Sequence, residues 1–159
     1  MSTPIIETKF IKFSKGGHIP KWRQYFTGAG AWLEVLEILM DNKDRLTWGR
    51  FYAVQPTIMF CVELYIKAIA SYTHKKIKAS DYGHDTVKVL NDLSDKIFIF
   101  KKIKQNDKLF GLIKEYQKTI YNTRFGETSV SINGEDEAFM IKLAYDLNKE
   151  MCVLSGLRG

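Results

Sequence analysis

The stretch from Phe51 to His74 carries only two formal charges, Glu63 and Lys67, and its apolar residues do not keep to one side. Val54, Ile58, Cys61, Val62, Tyr65, Ala68, Ile69 and Tyr72 fall at helical spacing but cover several faces. A helix that is apolar nearly all the way round has no face for water and belongs at the centre of a fold. Pro56 falls within its first turns, where the missing amide donor costs little, or else marks a later start or a kink. A central helix of this kind needs other helices to cover it, and the rest of the chain supplies them.

From Gly30 to Asn42, Trp32, Leu33, Val35, Leu36, Leu39 and Met40 recur every three or four residues and predict an amphipathic helix. Tyr82-Gly83-His84-Asp85 leads into a short helix carrying Val87, Leu90, Leu93 and Ile97, with Asp85 or Thr86 as its N-cap. Ile97-Phe98-Ile99-Phe100 could be a strand by composition but has no convincing partner in the chain, and reads as a buried connection or helix end. Leu109, Leu112, Ile113, Tyr116 and Ile120 form one stripe over 107–123 behind Asp107 as cap. Asn133-Gly134-Glu135-Asp136 opens a last helix striped by Met140, Leu143, Ala144, Leu147, Met151 and Leu154 and ended by Gly156. Residues 1–27, with Gly16-Gly17 and Pro20, read as an irregular arm, and 28–159 as a single helical domain. The expected architecture is all-α, an antiparallel bundle of four to five helices.

A chain of 159 residues, 45% of them hydrophobic, suffices for one core. Its longest apolar stretch, Phe51 to Val62, contains Gln55 and Pro56 and falls short of the ~20 apolar residues of a membrane span. Met1-Ser2-Thr3-Pro4-Ile5-Ile6-Glu7 lacks the basic start and apolar run of a secretory signal, so the expected location is the cytoplasm, with no membrane contact. Cys61 and Cys152 sit in apolar helical patterns and read as reduced core thiols. His18, His74 and His84 are scattered, so no metal site is expected. Gly28-Ala29-Gly30 lacks the preceding strand and the lysine of a phosphate loop, and no cofactor is expected.

The net charge of +6 admits a polyanionic partner without identifying one. Lys75-Lys76-Ile77-Lys78 and Lys101-Lys102-Ile103-Lys104 fall where helices end, and cations there also complement the helix dipole. Glu63 and Lys67 stand one turn apart on one side of the central helix and can pair with each other. A buried carboxylate needs further donors from elsewhere, and His84 and Arg124, at helix ends, are the candidates.

Phe60-Cys61-Val62-Glu63-Leu64-Tyr65-Ile66-Lys67-Ala68-Ile69, then Gly83-His84-Asp85, then Tyr121-Asn122-Thr123-Arg124-Phe125 stand in an order and spacing that resembles the HEPN domain family, over roughly residues 30–154. In that family a central helix carries a Glu-Leu-x-x-Lys-Ala pattern, a Gly-His-Asp turn opens the next helix, and a Tyr-x-x-x-Arg-aromatic element ends a later one. The resemblance implies a helical bundle paired as a homodimer, at work in prokaryotic defence or toxin–antitoxin systems and linked to RNA. It implies RNA, a nucleotide or a partner protein as ligand, and Glu63, Lys67, His84, Asp85, Tyr121 and Arg124 as the ligand-binding or structural polar cluster. Many members are metal-independent ribonucleases that use an arginine and a histidine separated by about four to six residues. None of Arg23, Arg45, Arg50, Arg124 and Arg158 is followed by histidine at that distance. The expectation is therefore a binding module in which the ribonuclease motif is absent. Two alternatives stay open: a ribonuclease or toxin with a rearranged set such as His84, Tyr121 and Arg124, and a purely structural interaction domain.

Overall fold

The computed structural model describes residues 18–45, 53–124 and 134–157, apart from the side chains of 119–124. Among these residues every regular element is helical. The elements are α1 (Lys21–Asp41), α2 (Gln55–Thr73), α3 (Thr86–Leu93), α4 (Phe98–Gln105), α5 (Asp107–Arg124) and α6 (Gly134–Ser155), with 3-10 turns at Lys43–Arg45 and Ala79–Tyr82.

Helix α2 is the axis of the core. Ile58, Met59, Cys61, Val62, Tyr65, Ile66, Ala68, Ile69 and Ala70 have no solvent exposure, and α1, α3, α5 and α6 all pack on it. Pro56 occupies its first turn, where the ring needs no amide partner. The largest helix pair is α1 on α2. Gly28 contributes to their closeness, since a Cβ there would stand 3.4 Å from Leu64 Cδ1. Leu112, Ile113 and Tyr116 of α5 and Met140, Leu143, Ala144, Leu147 and Met151 of α6 close the core from the other sides.

Two expectations need correction. Residues 21–27 are not an irregular arm, because α1 begins at Lys21, immediately after Pro20. Proline lacks an amide donor but keeps its carbonyl, and the Pro20 carbonyl accepts from the amides of Arg23 (3.0 Å) and Gln24 (3.2 Å), so it starts the helix instead of blocking it. Trp22, Tyr25 and Phe26 of this extra length pack against the core. The second correction concerns Ile97–Phe100. The helix after Asp85 stops at Leu93, and a separate helix, α4, follows from Phe98, which brings the described α-helices to six. With a period of 3.6, Phe100 and Ile103 face inward while Phe98 is 69% exposed, its ring under Lys102 at 4.6 Å. The strand-like composition of 97–100 is overridden by that helical phase.

Asp85 is the N-cap of α3, its Oδ1 accepting from the Lys88 amide at 2.9 Å. Cys61 is a buried free thiol, whereas Cys152 is only half-buried. No described helix is long and apolar enough to cross a membrane.

Candidate functional site

Glu63 and Lys67 are buried in the middle of α2, with 3% and 6% of their surface exposed. Spacing of four residues puts them on one side of the helix, and Lys67 Nζ lies 2.7 Å from Glu63 Oε1. Neither charge is left to the pair alone. The ammonium also donates to the carbonyl of Gly83, sixteen residues on. His84 Nδ1 stands 3.0 Å from Oε1 and 3.2 Å from Oε2 of Glu63, so both carboxylate oxygens are answered. The Gly83-His84 turn is thereby clamped to α2 from two directions.

The backbone of that turn depends on glycine. Gly83 sits at φ +55° and ψ −124°, a conformation closed to residues with a Cβ. It follows the Ala79–Tyr82 turn and aims its carbonyl at Lys67. Half of the His84 side chain, 51%, remains exposed. A carboxylate facing Nδ1 places the proton on that nitrogen and leaves Nε2 to act on whatever approaches.

Glu63, Lys67 and His84 are thus brought together. Asp85 is next in the chain but serves elsewhere: besides capping α3, it accepts from Gln117 Nε2 at 3.2 Å, and Gln117 Oε1 accepts from the Val87 amide at 3.1 Å. Gln117 joins α5 to the first turn of α3. Tyr121 and Arg124 stand in the last turns of α5, and their side chains lie outside the described residues.

Three participants had no sequence assignment. The Gly83 carbonyl is backbone and carries no residue signature. Gln117 looks like any solvated helix position. Tyr25, whose ring centroid is 5.9 Å from Lys67 Nζ, lay in the stretch taken for an arm. Its signal was present, since Trp22, Phe26, Ala29 and Leu33 continue the helical stripe backwards. Burial raises the Tyr25 hydroxyl pKa above its ordinary value, and the negative charges of Glu63 and Asp81 raise it further, so the phenol remains a neutral donor.

Beyond Tyr25 the cluster borders a cavity of about 560 Å³ between the first turn of α1 and the end of α2, rimmed by Lys21, Lys75 and Lys78. Among the described residues no group of three or more His, Cys, Asp or Glu is placed to hold a metal ion. No protein-family model, curated protein or solved structure matches the chain. The functional reading therefore rests on the chain's own residues.

Chemically the cluster can do two things. It anchors the 79–85 segment to the core helix, and it presents one imidazole at the surface in a fixed orientation.

Proposed function

We propose that the chain is a HEPN-like helical module, an antiparallel bundle that pairs as a homodimer and works by binding RNA or a nucleotide. The observation that carries this reading is His84, a surface imidazole held through Nδ1 by a carboxylate that is itself held by a buried lysine. A side chain needed only for packing has no use for such exposure. Lys75, Lys76 and Lys78 follow α2 and Lys88 stands in α3, and these cations favour a phosphate-bearing ligand, with Asp81 and Asp92 among the last three of them. Pairing is supported by Trp32, Val35 and Ile38, large apolar residues exposed along one edge of α1. A setting in prokaryotic defence or toxin–antitoxin systems follows from the resemblance alone.

The test is an electrophoretic mobility shift of single-stranded RNA over a series of salt concentrations. Binding that weakens steeply with salt and is reduced in His84→Ala, with an unchanged melting temperature, is the expected result. Salt-insensitive retention, or none, returns the chain to a structural interaction domain.

One feature favours a second reading. A carboxylate on Nδ1 with Nε2 free is also the arrangement that prepares a histidine as a general base. A ribonuclease built on His84 would cleave RNA in the presence of EDTA and lose that activity in Glu63→Gln. Intact RNA with and without EDTA removes this reading.

A further inference from the structure

The cavity at the start of α1 is separate from the Glu63 cluster and touches it only through Tyr25. Its volume of about 560 Å³ is that of a small-ligand pocket. The wall is set with two aromatic rings one helical turn apart, Trp22 and Tyr25. Trp22 is fixed by an edge-on contact with Tyr72, centroids 5.1 Å apart and planes at 84°, and Tyr25 packs against the core beneath Lys67. Neither ring has to be ordered when a flat ligand arrives.

Three ammonium groups surround the rings. Lys21 comes from the first residue of α1, Lys75 and Lys78 from the segment after α2, and among the described residues none of them is in an ion pair. Lys78 is shared with a neighbouring hollow, which it lines with Lys76, Lys88, Asp81 and Asp92, and the Asp81 charge also reaches Tyr25. Ser71 of α2 also lines this cavity. The N-terminus of α1 adds to the positive field, since Pro20 contributes no side-chain cap to its first amides.

We propose that this cavity binds a nucleoside phosphate, its base against Trp22 and Tyr25 and its phosphate among Lys21, Lys75 and Lys78. Bare phosphate uses the lysines and leaves the rings idle, and an apolar molecule does the reverse; only a ligand with a flat ring at one end and negative oxygens at the other uses both. A free nucleotide and the end of an RNA strand share that chemistry. The proposal rests on the reading of the chain as an RNA or nucleotide binder, and it seats the ligand beside His84 instead of on it.

The experiment is isothermal titration of the full chain at low salt with ATP, GTP, a 5′-phosphorylated oligouridine and inorganic phosphate. Saturable binding of a nucleotide or of the oligomer, at least tenfold tighter than inorganic phosphate, is expected. Mononucleotide binding tighter than the oligomer identifies the free nucleotide as the source, and the reverse order identifies the strand end. Lys75 and Lys78 are exposed, so the Lys75→Ala, Lys78→Ala double variant should melt as the parent does and lose affinity at least tenfold. Trp22→Phe, which keeps a ring, should bind more tightly than Trp22→Ala. Equal affinity for inorganic phosphate, or undiminished nucleotide binding by the lysine double variant, overturns the proposal. If that undiminished binding is instead weakened by His84→Ala, the module still binds nucleotides but at the other site. If the unaltered chain binds none of the probes, both readings fall together.

Discussion

A lysine in the interior of a helical core is stable only when every proton of its ammonium has somewhere to go. Lys67 meets that condition through Glu63, the Gly83 carbonyl and the face of Tyr25. Removing one member of a buried ion pair leaves the other charge unanswered, at about 3–5 kcal/mol, whereas exchanging both for apolar residues is often close to neutral. Lys67→Met should therefore lower the free energy of urea unfolding by about 3 kcal/mol or more, and Glu63→Leu with Lys67→Met should regain most of it. A loss below about 1 kcal/mol in the single variant, the range of exposed pairs, would contradict the burial described. A second consequence at this scale concerns the thiols. Burial pushes Cys61 up to about 12, so at pH 8 roughly one part in ten thousand is thiolate. An aromatic disulfide reagent added to the native protein at pH 8 should modify half-buried Cys152 and leave Cys61 untouched until the chain is unfolded.

Between elements, the decisive contacts are few and polar. Gly83 has open space around its α-carbon, so Gly83→Ala meets no side chain and tests the backbone conformation alone. The expected cost is about 1–3 kcal/mol by thermal or chemical unfolding, with the Lys67 contact disturbed as well. At the far side of the fold, Tyr145 of α6 donates to Glu37 Oε1 of α1 at 2.6 Å. That hydrogen bond, with burial and the Glu37 charge, pushes the Tyr145 hydroxyl up to about 12. A phenol whose pKa is raised by folding lends stability below its unfolded value near 10, and the contribution disappears as pH climbs through the folded value. Tyr145→Phe should accordingly flatten the loss of stability between about pH 10 and pH 12. How far the elements were legible in the sequence depended on what sat between them. The uniform burial of α2 and the Asp85 cap could be read directly, because a helix with two charges and an Asx residue before an apolar run have few other meanings. The first turns of α1 and the whole of α4 could not. Gly16-Gly17 and Pro20 imitate a breaker, and four β-branched and aromatic residues in a row imitate a strand, until the surrounding packing chooses the helical phase.

At the scale of the whole molecule, one hollow beside the end of α2 mixes Asp81 and Asp92 with its lysines. Lys21, Lys75, Lys76, Lys78 and Lys88 line the hollows beside the end of α2, while the apolar edge of Trp32, Val35 and Ile38 runs along α1. If that edge joins two copies, Ile38→Glu should convert a dimer to a monomer in light scattering after size exclusion, with little change in melting temperature, because Ile38 is 63% exposed. A chain that is already monomeric at tens of micromolar concentration would remove the pairing. The candidate site was legible only at its anchor. Glu63 and Lys67 stood out as charges in an apolar helix and pointed to His84, but the cavity wall was hidden in residues assigned to an arm, and a pocket shared by distant turns has no periodicity to reveal it.

Tyr25 belongs to two neighbourhoods at once, forming part of the cavity wall while lying beneath the buried ammonium. If a ligand in the cavity displaces this ring, Lys67 and the Gly83 carbonyl bonded to it are the next groups in line, and any coupling that results acts equally in both directions.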